Sequence, residues 1–138
     1  MTMGDYQKVY QLWTSTSGMG MRSLDDSEDG IRKFLDRNPR TCFVAEAGIE
    51  IVGVILSGHD GRRGYIYHAA VREKDRGKGI GAALTQAVEH AMHNEGIHKI
   101  ALVVFSHNDI GNRFWEKQGF ISRPDLVYRN KSLNDENR

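Results

Sequence analysis

Three glycines at alternate positions, Gly77, Gly79 and Gly81, with Arg76 and Lys78 among them, form the stretch of this chain best suited to chemistry. A missing Cβ lets a ligand approach main-chain N–H groups, and the first turn of a helix offers such groups unpaired, with a partial positive charge. The natural guest is an anion, above all a phosphate-bearing ligand. GKGIGA satisfies the loose dinucleotide pattern glycine-x-glycine-x-x-glycine-or-alanine. That pattern also needs a tight turn directly after its strand and a ribose-binding acid about 20 residues on. Here Arg72–Arg76 makes the turn too long, and the next apolar run, Ile100–Phe105, ends in Ser106 and His107 rather than an acid. No Gly-Lys-Ser/Thr occurs, so the P-loop pattern fails as well.

The loop has to be held between two elements. Before it, Tyr65–Val71 reads as a buried strand; after it, an amphipathic helix runs to Gly96, a residue suited to a helix C-terminus. Lys99–Phe105 is a continuous apolar run, as in a strand covered on both faces. Upstream, Asp5 is placed to cap a helix reaching about Thr16, with Val9, Leu12, Trp13 and Thr16 on one face. Ser17–Leu24 reads as a flexible link. A second helix starts at Ser27, buries Ile31, Phe34 and Leu35, and is ended by Pro39. Thr41–Ala47 and Ile51–Ser57 form a hairpin turning near Gly48. Past the apolar run, Ser106, Asn108 or Asp109 caps a short helix with Ile110 and Phe114 inward, closed by Gly119 with Phe120 packing back. Leu126–Ser132 reads as a last strand and Asn134–Arg138 as a frayed tail.

Arg76-x-x-Gly79-x-Gly81 resembles the coenzyme A pyrophosphate loop of the GNAT superfamily of N-acetyltransferases. The resemblance takes in the Ala-Val that ends the strand before the loop, then Asn108, then Phe114-Trp115-Glu116-Lys117-x-Gly119-Phe120. It is strong over Gly53–Phe120 and weaker before that. It implies one α/β domain over residues 1–138, of α+β type, with a mixed, mostly antiparallel central sheet, about four helices and an opening strand, which the short, polar Met1–Gly4 leaves truncated or missing. It implies acetyl-CoA as co-substrate, a primary amine as acceptor, and direct attack of the amine on the thioester in a ternary complex. The strands at Tyr65–Val71 and Lys99–Phe105 would splay apart, the pantetheine arm lying in the notch along Ala69, Ala70 and Val71. Arg76, Gly77, Lys78, Gly79, Ile80 and Gly81 would hold the pyrophosphate, with Asn108, Asn112, Phe114, Trp115 and Lys117 as further coenzyme contacts. Residue by residue, Ala69 and Ala70 also suit a crowded core, and Asn108 also suits a plain helix cap.

Acetyl transfer needs a group to take the amine's proton and one to neutralise the leaving thiolate. The branch of the family acting on ribosomal-protein N-termini uses a glutamate and a tyrosine; the matching positions here are Val103 and Trp115, which move no proton. The resemblance therefore supports a coenzyme site and leaves the catalytic pair to this chain's own residues. His68 on the strand and Tyr128 on the expected last strand are the candidates, with His59 and Asp60 able to bind or relay at the strand mouth. Each also fits a plain packing or hydrogen-bonding role. A coenzyme-A-binding module without catalysis is the alternative reading.

Composition narrows the partners. The chain has 138 residues with a net charge of +1, which gives no general attraction to nucleic acid or anionic membrane. Its apolar runs are too short to span a bilayer. Cys42, the one cysteine, excludes an internal disulfide and reads as core packing, compatible with a cytoplasmic setting. His90, His93 and His98 read as solvated side chains rather than a metal site. The acceptor stays open between a small-molecule and a peptide amine, and the assembly between monomer and homodimer.

Overall fold

Alternating apolar residues and glycine turns produce a four-stranded sheet, in the order β1-β2-β3-β4, in the computed structural model, which describes residues 1–138. Strand β1 (Phe43–Ala47) turns through Gly48, at φ 64°, into β2 (Glu50–His59). Strand β3 (Gly64–Val71) follows a turn in which Asp60 Oδ1 accepts the N–H groups of Arg62 and Arg63, both at 2.8 Å. These pairs are antiparallel, whereas β4 (Ile100–Ala101) runs parallel to β3. The sheet is thus mixed and mostly antiparallel, as expected.

Helices cover both faces. On one side lie α1 (Tyr6–Thr14) and α2 (Glu28–Arg37), on the other α3 (Ile80–Asn94). The stripe Val9, Leu12 and Trp13 packs with Ile31, Leu35, Val54, Leu56 and Ala70. Beneath the opposite face, Leu84, Val88 and Met92 meet Ile55 and Ile66, with Trp115 and Phe120 against their edge. Those two aromatics belong to and follow α4 (Asp109–Lys117). Ser27 caps α2 by accepting the Gly30 N–H, and the helix stops at Asn38 ahead of Pro39. Gly96, at φ 75°, ends α3.

Several sequence expectations give way. The absence of a strand before α1 agrees with an opening strand truncated or missing, but Met3–Asp5 is a 3-10 turn, and the Asp5 carboxylate accepts the Thr2 N–H instead of capping α1, which stops at Thr14. The apolar run from Lys99 pairs only at Ile100 and Ala101, after which Val103 and Phe105 are exposed while Leu102 packs on the core. Ile110 faces out, since α4 turns Phe114 and Trp115 toward the molecule. No last strand forms at Leu126–Ser132, and Tyr128 is 65% exposed. With β4 only two residues long, the sheet offers no ladder there, and Arg123 clamps Asp125 through two 2.8 Å bonds around Pro124. The tail is not frayed. Asn137 Oδ1 accepts the N–H groups of Leu24 and Asp25, and the Ser23 N–H reaches the Arg138 carbonyl at 2.7 Å.

Gly30 is where α2 touches this linker. A Cβ there would lie 2.3 Å from the Leu24 carbonyl oxygen and 2.4 Å from that of Asp25. Both neighbours are backbone, so nothing flexible can yield. Gly30→Ala is expected to cost roughly 1–3 kcal/mol, the usual range for overpacking, despite alanine's better helix propensity. Chemical denaturation checks it; a variant as stable as the parent would contradict the packing described.

Candidate active site

The parallel pairing of β3 with β4 ends almost as it begins. Only Gly64–Ile100 and Tyr65–Ala101 are matched, so from Ile66 to Val71 that edge of β3 has no strand beside it. This is the expected notch. On the other edge the register shifts between Leu56 and Ser57, which pair with His68 and Ile66, leaving Tyr67 unmatched. A bulge of this kind bends the strand and redirects its side chains. The two alanines divide: Ala70 is buried in the α1/α2 core, the packing role, while Ala69 is exposed. Val71 is half-buried at the loop end.

Beyond Val71 the chain makes one 3-10 turn, Glu73–Asp75, and enters the glycine loop. Six consecutive N–H groups, Gly77 to Ala82, donate to no protein acceptor. Gly77 and Gly79, at φ 77° and 83°, take conformations that disfavour other residues, and nothing lies within 4 Å of where their Cβ atoms would be. Gly81 is tight for a different reason: its Cβ would sit 2.9 Å from Phe114 Cε1, so Phe114 covers the start of α3. Bare amides at a helix N-terminus make an anion cradle. Arg76 folds back to the Val71 carbonyl at 3.2 Å. Asp75 braces the loop, accepting Arg72 Nε at 2.6 Å and Lys78 Nζ at 3.1 Å, and Arg72 reaches on to Glu50 at 2.7 Å.

Those cations, Arg72 first, hold the Asp75 carboxyl below the usual carboxylate range. A depressed folded value stabilises above the unfolded pKa, about 3.9, and the contribution is lost as pH falls through the folded value. Asp75→Asn is therefore expected to melt below the parent at neutral pH, with the gap closing on acidification below about pH 4. Thermal melts of both proteins from pH 7 to 3 check this.

His68 sits at the bulge with Nε2 2.8 Å from Asp26 Oδ1, and its ring packs against the Trp13 indole in a T-shaped contact with centroids 5.0 Å apart. Tyr67 stands beside it, packed between Phe34 at 5.5 Å and Tyr65 at 4.7 Å. Burial, then the neighbouring Tyr128, raises the Tyr65 phenol, and the same two causes raise Tyr67, so both stay protonated at neutral pH.

A family model described as the acetyltransferase (GNAT) family matches residues 6–120. The chain belongs to the GNAT family. An acetyltransferase of Sodalis glossinidius is 33% identical over 129 residues, covering 94% of this chain and 89% of that protein. One of Pectobacterium atrosepticum is 35% identical over 113 residues, covering 82% and 79%. The crystal structure of Ard1 from Thermoplasma volcanium shares the fold, with a TM-score of 0.77 at 23% identity, over 88% of this chain and 79% of that one.

The remaining candidates of this GNAT domain are placed as follows. Asn108 caps α4, its Oδ1 accepting the Gly111 N–H at 2.9 Å. Asn112 Nδ2 holds the carbonyls of Phe105 and Asn108 at 3.0 and 2.9 Å. Both amides thus shape the α4 entrance. Trp115 packs edge-on against Phe114 and Phe120, and Lys117 is exposed. His59 is pinned away from the notch, with Glu95 on Nε2 at 2.9 Å and the Gly61 N–H on Nδ1. Asp60 is consumed by its turn. Burial pushes the Cys42 thiol up to about 11, and it donates to the Ser57 carbonyl, so it is no nucleophile. Sequence reasoning missed Asp26 and Asp75. In LDDSED nothing distinguishes Asp26 from its acidic neighbours, and only its burial does. Asp75 carried one usable signal, its spacing of three from both Arg72 and Lys78.

Proposed function

We propose that this GNAT domain moves the acetyl group of acetyl-CoA onto a primary amine by direct attack within a ternary complex. The observation that carries the reading is the continuity of two open main-chain surfaces: the six free amides of Gly77–Ala82 and the unpaired edge Ile66–Val71 that leads to them. The amides suit a diphosphate, the edge an extended amide-bearing arm. Bound acetyl-CoA would supply an activated thioester, whose carbonyl carbon gains the amine nitrogen as the C–S bond breaks.

The chain's own residues do the rest. Arg76 and Lys78 add positive charge beside the amide cradle, and Asp75 keeps the loop bent before a ligand arrives. Phe114 shields the first turn of α3. His68 takes the amine's proton at the bulge. Tyr128, an exposed phenol beside Tyr65 and Tyr67, gives a proton toward the leaving sulfur. The aromatic surface of Tyr67 and Phe34 faces the incoming acceptor, a small-molecule or peptide amine.

Coenzyme A titration by calorimetry, together with acetyl-CoA turnover against a panel of small and peptide amines, tests this. Saturable binding and acetylation of at least one amine are expected. Absence of coenzyme binding would remove the proposal, and binding without turnover on any amine would leave a coenzyme-binding module in its place.

A further inference from the structure

We infer that Asp26, on the linker between α1 and α2, is the positioning residue that fixes the tautomer of His68 and makes Nδ1 the atom that receives the amine's proton. The inference rests on the acetyl-transfer reading above. The Asp26 side chain is only 5% exposed. Its two oxygens are both engaged: Oδ2 accepts the Arg22 N–H at 2.6 Å and Oδ1 faces His68 Nε2 at 2.8 Å. The Asp26 carbonyl accepts the Tyr6 hydroxyl at 2.8 Å, so the residue is held from three directions. An ionised carboxylate only accepts hydrogen bonds, so the proton between the two groups belongs to Nε2. In the neutral ring the lone pair is then on Nδ1.

Nδ1 has no hydrogen-bond partner in the protein, and it is not sealed off. Trp13 Nε1 is the one buried side-chain nitrogen or oxygen without a partner, so Nδ1 must reach solvent although the His68 side chain is only 13% exposed. Trp13, itself fully buried, packs on the imidazole at an interplanar angle of 63° and opposes ring rotation.

The acceptor arrives as an ammonium, and one proton passes to Nδ1, leaving an imidazolium beside the Asp26 carboxylate. The freed nitrogen lone pair bonds to the carbonyl carbon, and the C–S electron pair leaves on sulfur. Tyr128 protonates the leaving thiolate, giving the coenzyme thiol, and the second proton, shed as the amide forms, restores the phenol. The imidazolium then releases its proton to solvent. Carboxylate, imidazole and reacting group act in line, as in other acyl-transfer sites, where the carboxylate orients the ring and stabilises its charged form without itself taking the proton.

Asp26→Asn separates positioning from packing. The Arg22 N–H and His68 Nε2–H meet different oxygens of the carboxylate, and an amide keeps an acceptor at only one of those two positions. The strain is relieved when the amide NH2 faces Nε2, which moves the ring proton to Nδ1 and abolishes the base. The test combines nitrogen NMR of His68 in full-length, imidazole-labelled protein with turnover of acetyl-CoA on an amine found in the panel. Expected are an Nε2–H, bare-Nδ1 signature in the wild type, the reversed signature in Asp26→Asn, and a kcat lowered roughly 10²-fold or more with coenzyme A affinity unchanged. A wild-type ring protonated on Nδ1, or a variant with unaltered kcat, would overturn the assignment. The wild-type spectrum decides even where the variant fails to fold. If no amine is turned over while Nε2–H is seen, the acetyl-transfer reading and the base role of Nδ1 fall, and the pairing alone stands.

Discussion

Gly79→Glu is expected to abolish coenzyme A binding while the domain remains folded. Gly79 caps α3 in the left-handed region at φ 83°, in the middle of six amides with no protein acceptor. A glutamate there projects a carboxylate where the diphosphate is proposed to lie. It adds like-charge repulsion, steric block and its own competition for the amides. The fold is spared because a Cβ at this position meets nothing within 4 Å. The cost is that of a side chain at positive φ, of order 1–2 kcal/mol, so the melting temperature should fall by only several degrees. Calorimetric titration with coenzyme A beside a thermal melt checks both halves. Unchanged affinity would count against the loop as the diphosphate site.

The second large effect is on chemistry rather than binding. His68→Gln should lower kcat by roughly 10²–10⁴-fold, the range for losing a general base, with coenzyme A affinity unaltered. Glutamine is chosen over alanine because its amide can still donate to Asp26 Oδ1. Removing that donor would leave Asp26 Oδ1 buried without a partner, with only Oδ2 still held by the Arg22 N–H, and folding would then suffer along with turnover. Steady-state kinetics on a responsive amine, read beside direct coenzyme binding, separates the two. Tyr128→Phe, read in the same assay, asks whether the phenol contributes. Normal turnover in both variants would remove both residues from the reaction.

Both predictions concern a domain in which the linker between α1 and α2 does more than connect. Gly30 brings α2 against the Leu24 and Asp25 carbonyls, the tail at Asn137 holds the N–H groups of the same two residues, and Asp26 comes next. The proposed base is thus set by a segment that contributes no regular structure. Substitutions there can alter turnover without touching the coenzyme.

The sequence by itself determined the features whose causes are local. Glycines at alternate positions mark amides that a ligand can reach; the stripe Val9, Leu12 and Trp13 marks a buried helix face; Ser27 and Pro39 bracket α2; and Gly48 and Gly96 mark reversals at positive φ. Each rests on backbone sterics or periodicity within a few residues. Only the tertiary structure decided what depends on partners far along the chain. Asp26 and His68 are 42 residues apart, and no spacing rule joins them. The run Lys99–Phe105 shows how much apolar surface there is to bury, but a strand also needs a neighbour for its hydrogen bonds, and beyond Ala101 there is none. For the same reason Leu126–Ser132, strand-like in composition, forms no strand, and Tyr128 stands at the surface rather than in the sheet.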